Sequence, residues 1–141
     1  MDYKKLSNIS ITYFVLAMAF GVFYREFTKF NGFTGRTALA FGHVHLMVLG
    51  CLMFLLIILF AKNFPLLEQK LFRPFLVTYN IALPVMVIML AVRGIVQVKG
   101  IVLSSGADAA ISGIAGVTHI ALFVGLLLLL LALRKAVEAQ K

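Results

Sequence analysis

Residues 37–61 read TALAFGHVHLMVLGCLMFLLIILFA, an unbroken apolar run that carries no formal charge. A spanning α-helix needs about 20 such residues to cross a hydrocarbon layer of about 30 Å. This stretch therefore predicts a transmembrane helix. Near its start it carries two histidines, His43 and His45, and an imidazole in hydrocarbon is costly unless it has a partner. The third and last histidine of the chain, His119, lies at a similar depth in another apolar run. All three are expected inside the membrane rather than in a loop.

Working outward, three further apolar runs flank this one, so helices are expected over about 7–24, 37–61, 75–96 and 109–133. The first run follows Lys4 and Lys5, and Ala17, Met18 and Ala19 imitate the small-residue cleavage site of a signal peptide. Because the run continues through Phe20, Val22 and Phe23, a retained first helix is the better reading. Arg25 to Arg36, Lys62 to Pro74 and the segment from Gln97 to Asp108 read as polar connections. The third run contains Asn80 and Pro84, and a mid-helix proline frees a backbone carbonyl and bends the helix. The expected fold is an all-α, integral membrane four-helix bundle of up-and-down topology, a single domain over 1–141.

Composition agrees with that reading. The chain is 62% hydrophobic and only 13% charged, and its mean hydropathy is +1.06. A soluble domain would carry about twice that charged fraction. The net charge of +8 does not point to nucleic acid, because the basic residues stand singly or in pairs at the ends of apolar runs, where lipid headgroups lie. The partner they imply is the lipid bilayer. Cys51, the single cysteine, reads as core filling. With both termini in the cytoplasm, Lys4, Lys5, Lys62, Lys70, Arg73, Arg134, Lys135 and Lys141 fall inside, against Arg25, Lys29, Arg36, Arg93 and Lys99 outside. That bias places both termini on the cytoplasmic side of a cytoplasmic membrane and the three histidines together in its outer half.

Residues two apart on a helix point about 200° apart, so His43 and His45 face nearly opposite ways. One can face His119, while the other must face a different helix, a second cofactor or another subunit. Gly42, Gly50, Ala115 and Gly116 are expected to leave room beside the imidazoles for a flat macrocycle. Haem b held by axial histidines fits this pattern, since a porphyrin prefers an apolar slot. Arg93, followed by Gly94, Ile95 and Val96, is the expected cation for its propionates. Copper bound by histidines alone is a weaker expectation, as only three imidazoles are present and two diverge. Asp2, Glu26, Glu68, Asp108 and Glu138 all fall at helix ends or in loops, which argues against a carboxylate-driven transporter and against a carboxylate-bridged metal centre. The competing function is a transporter or channel whose histidines line a path for protons, metal ions or a small solute. The outward histidine and the small-residue patches also imply a homodimer.

The run Gly42, His43, Val44, His45, Leu46 with Gly50 after it resembles the paired-histidine helix of the catalytic subunits of haem–copper oxidases and nitric oxide reductases, and of the membrane haem proteins of nitric oxide resistance. In that superfamily the two histidines project to opposite faces and can serve two haems. The resemblance implies that His43 and His45 match the pair, that His119 is the opposing ligand, and that the activity is electron transfer or the binding or reduction of nitric oxide or oxygen. Those subunits have many more helices and further histidines for copper. Over nearly its full length the chain is also similar to a group of small, uncharacterised four-helix bacterial membrane proteins.

Overall fold

The structure is a computed structural model that describes residues 2–139. It consists of four long apolar helices, α1 (Tyr3–Phe30), α2 (Leu39–Asn63), α3 (Phe72–Lys99) and α4 (Ser105–Glu138), each long and apolar enough to cross a membrane. Among the described residues there is no strand. The helices form an up-and-down bundle in which α1 lies along α2, α2 on α3, and α3 along α4. Each helix extends past the apolar run that announces it. Polar residues such as Lys29 and Lys99 continue the last turns rather than opening loops, because a helix satisfies its own backbone and cations suit its C-terminal end. Asp2 caps α1 by accepting from the Lys5 N–H at 2.8 Å, and Gly100, at φ +62°, closes α3 in the left-handed region.

The packing stripes follow coiled-coil spacing. On α4 the buried residues are Thr118, Leu122, Gly125, Leu129, Ala132 and Ala136, alternately four and three apart. On α1 they are Leu6, Ser10, Tyr13 and Ala17. The densest packing lies where α1 and α3 begin and α2 and α4 end. There Phe54 is fully buried and stacks between Tyr13 and Phe75, with Tyr79 edge-on.

One helix departs from α geometry. Residues Leu46–Leu52 of α2 form a π-helical segment that begins one residue after His45. A π turn loosens the backbone ladder, and two of its carbonyls are held from outside. The Tyr79 hydroxyl of α3 donates to the Leu49 carbonyl at 2.9 Å, and the Ser10 hydroxyl of α1 donates to that of Cys51 at 3.0 Å. Gly50, at the centre of the segment, lets α1 approach: a Cβ there would lie 2.5 Å from the Tyr13 ring. A distorted backbone is thus fixed from both sides directly beside the histidine pair.

Candidate functional site

All three histidines lie in the half of the bundle where α1 and α3 end and α2 and α4 begin. The register is set by Leu39 of α2 against Gly94 of α3, and by Arg93 of α3 against Asp108 and Ser112 of α4. His43 turns toward α1. Its Nδ1 lies 2.8 Å from the Ala17 carbonyl, and a Cβ on Gly21 would stand 3.1 Å from that nitrogen. The room for the His43 ring therefore comes from Gly21 of the neighbouring helix. Gly42 and Gly50 serve a different purpose from the one the sequence suggests, since they receive the Phe20 and Tyr13 rings.

His45 points to another side of α2. Its helical row includes Ala38, one heptad before it, and Leu49, one turn after it. The Ala38 N–H donates to the Gln97 side chain at 2.8 Å, and the Leu49 carbonyl accepts from Tyr79. Tyr79, Met86, Arg93 and Gln97 recur at coiled-coil spacing along one face of α3. The α2 backbone on either side of His45 is therefore tied to that face of α3.

His119 lies on a row of α4 whose earlier members meet the same face of α3. It shares a row with Asp108, Ser112 and Ala115, spaced four, three and four apart. Arg93 of α3 binds Asp108 through Nη1, and its Nη2 donates to the Ser112 hydroxyl at 2.6 Å and reaches the Asp108 carbonyl at 3.5 Å. Ser112 and His119 are two turns apart, about 10 Å along the axis. Arg93, with 28% of its side chain exposed, thus ties the start of α4 to α3 above His119. From Ser105 to Val117 no residue of α4 is fully buried, and His119 is exposed. The structure does not gather the histidines into a cluster: among the described residues no three His, Cys, Asp or Glu side chains are grouped to hold one metal ion.

The imidazoles share one property. Each has its Nδ1 against a backbone carbonyl, His43 on Ala17 at 2.8 Å, His45 on Phe41 at 2.7 Å and His119 on Ala115 at 2.7 Å. A carbonyl can only accept, so the proton of each neutral ring sits on Nδ1 and the lone pair is on Nε2. This is the state in which a histidine ligates a metal, with the opposite N–H oriented by a backbone oxygen. Sequence pattern shows the residue types but not this anchoring. Tyr13 and Tyr79 read from the sequence as interfacial or hydrogen-bonding residues, and both do hydrogen-bond across helices, whereas the sequence gives no sign of buried Ser10.

Residues 3–136 match the family described as "Protein of unknown function (DUF2871)". The chain belongs to that family. The DUF2871 match takes in all three histidines, Arg93 and the π segment, so the site lies within the family's own domain. No curated protein and no solved structure matches the chain.

Proposed function

We propose that this DUF2871 protein is a b-type haem protein of the bacterial cytoplasmic membrane, with His45 and His119 as the axial pair, serving electron transfer or the binding or reduction of a diatomic gas. The observation that supports it most is that His45 and His119 each hold Nδ1 2.7 Å from the carbonyl of the preceding helical turn, which in a neutral ring leaves the lone pair on Nε2. An unpaired lone pair in hydrocarbon is costly, and a ligated iron offsets that cost. Haem b would be held by these two nitrogens and would supply a one-electron couple, or a gas-binding position if one ligand gives way.

The other residues have supporting roles. Arg93 stands two turns above His119 with N–H groups beyond those given to Asp108 and Ser112, and is the cation for the propionates. The π segment after His45 sets the direction of α2 below the ligand, and Tyr79 fixes it. His43, turned to α1, lies off the axial pair. The exposed first half of α4, with Gly106, Gly113 and Gly116 open to close approach, is the surface for a second copy in a homodimer.

The test is a visible spectrum of the detergent-purified protein, oxidised and dithionite-reduced. A Soret band that His45→Ala or His119→Ala abolishes and His43→Ala leaves is the expected result, and added carbon monoxide then reports an open axial position. A colourless protein that takes up no added haemin overturns the proposal and favours a histidine-lined transport path.

A further inference from the structure

A second site lies between α1 and α3, bordered by α2. Two adjoining grooves, of about 440 Å³ and 280 Å³, share Tyr13, Leu16 and Pro84 in their linings. Volumes of this order accommodate small organic ligands. The grooves differ in chemistry. The larger is lined by apolar and aromatic residues, including Phe20, Phe23 and Ala91. The smaller adds Asn8, Thr12 and Asn80. Leu16 and Ile88 are 47% and 55% exposed, so the larger groove opens toward lipid.

The polar end retains hydrogen-bonding capacity. The Tyr13 hydroxyl donates to Asn80 Oδ1 at 2.9 Å and keeps its acceptor lone pairs. Asn80 Nδ2 donates one N–H to the Leu76 carbonyl at 2.8 Å and has a second N–H to give. Pro84 has no N–H, so the Asn80 backbone carbonyl loses its helical donor. Asn80 lines the smaller groove and Tyr13 lines both, so donor and acceptor capacity lies together at the polar end. Tyr13 is eight residues along α1 from Lys5, about 12 Å on the apolar side of that charge. A ligand reaching it must be uncharged, carry ring oxygens that can both accept and donate, and bring an apolar tail.

We propose that this groove binds a quinone-class amphiphile, a neutral dioxygenated ring on an isoprenoid tail, with Tyr13 and Asn80 on a ring oxygen and the tail along Leu16, Phe20 and Ala91. The larger groove between α3 and α4, about 800 Å³, suits this ligand less well, because its lining is apolar apart from Thr78 and Thr118, and the Thr118 hydroxyl is already given to Ala115.

The chain has no tryptophan, so Ile88→Trp places a single indole at the groove's rim. Decylubiquinone titrated into this variant in phosphatidylcholine nanodiscs is expected to quench it saturably, whereas Val124→Trp, on the lipid face of α4, is expected to show only linear quenching. Adding Asn80→Leu or Tyr13→Phe to Ile88→Trp weakens the apparent affinity about tenfold through lost hydrogen bonds. Ala91→Phe fills the groove and abolishes saturation, which keeps the test decisive if Asn80→Leu does not fold. Linear quenching at both positions, an affinity unchanged by the polar substitutions, or equal competition by decane each overturns the proposal. Saturation that survives His119→Ala separates this site from the haem reading, which can fail without it.

Discussion

The two halves of the bundle are built differently from the same residue types. In the half where α1 and α3 begin, aromatic rings from two helices fill the centre: Phe54 of α2 and Phe75 and Tyr79 of α3 are essentially unexposed, and Ala132 and Ala136 of α4 are fully buried. In the histidine half, α4 from Ser105 to Val117 has no fully buried residue, and its main link to α3 is Arg93 with Asp108 and Ser112. Lipid is as apolar as leucine, so burial alone does not draw membrane helices together. Packing and hydrogen bonds do; interhelical hydrogen bonds occur in both halves, whereas the buried aromatic packing is concentrated at one end. The lesson is a division of labour, with one half holding the bundle and the other leaving room beside its histidines.

The strongest way to break this contrast is Phe54→Ala. Removing a fully buried ring that touches Tyr13, Phe75 and Tyr79 leaves a cavity in the packed half. The expected loss is about 3 kcal/mol, the low end for Phe→Ala because in lipid only packing is forfeited. Thermal unfolding in detergent, followed by circular dichroism, measures it. Next comes a pair of glycines. Gly50→Ala drives a Cβ to 2.5 Å from the Tyr13 ring, while Gly113→Ala meets nothing within 4 Å. Gly50→Ala is expected to destabilise by about 1–3 kcal/mol, and Gly113→Ala to be neutral or to stabilise by up to about 1 kcal/mol through helix propensity. Equal effects in the same melting assay would erase the distinction between the halves.

Much of the fold is legible in the sequence. Four apolar runs near spanning length leave few alternatives to a four-helix membrane bundle, because backbone in hydrocarbon must satisfy itself. The helix ends are less legible: the chain from Arg25 to Phe30 and from Gln97 to Lys99 is polar, yet helical. The divergence of His43 and His45 follows from helix geometry alone, but their neighbours do not. Gly21 beneath His43 and the π segment after His45 depend on contacts between helices, and no local pattern encodes them. Arg93 stands out as a charged residue near an apolar run, while its attachment to Asp108 and Ser112 requires the α3–α4 register. Tyr13 and Asn80 are conspicuous singly; only the fold joins them.

Tyr79→Phe tests the boundary between the halves. It keeps the ring in its packing and removes one hydrogen bond to the π segment's Leu49 carbonyl. Interhelical hydrogen bonds in membranes contribute about 0.6 kcal/mol on average, so the melting shift is expected to be small. The sharper readout is amide exchange, which is expected to quicken across Leu46–Leu52 and not across Phe72–Phe75. Uniform quickening would mean that the π segment is not a separate element held by this contact.

The smallest expected effect on stability comes from Asp108→Asn, and it examines the histidine half most directly. The Arg93–Asp108 pair is partly exposed, with 55% of the Asp108 side chain accessible, and pairs of this kind contribute below about 1 kcal/mol. Global unfolding is therefore expected to change little, while amide exchange over Ser105–Ser112 is expected to rise. Asp108 also stands in the first turn of α4, where any carboxylate favours the helix dipole, so a rise alone does not identify the tether. Arg93→Gln separates the two causes, because it removes the tether and leaves the carboxylate in place. If the ion pair holds this end of α4, each single substitution produces a similar rise and the double variant adds little, the non-additivity expected of residues in one contact. If the two effects sum, α4 is held here by independent interactions and the histidine half is more firmly built than its exposure suggests.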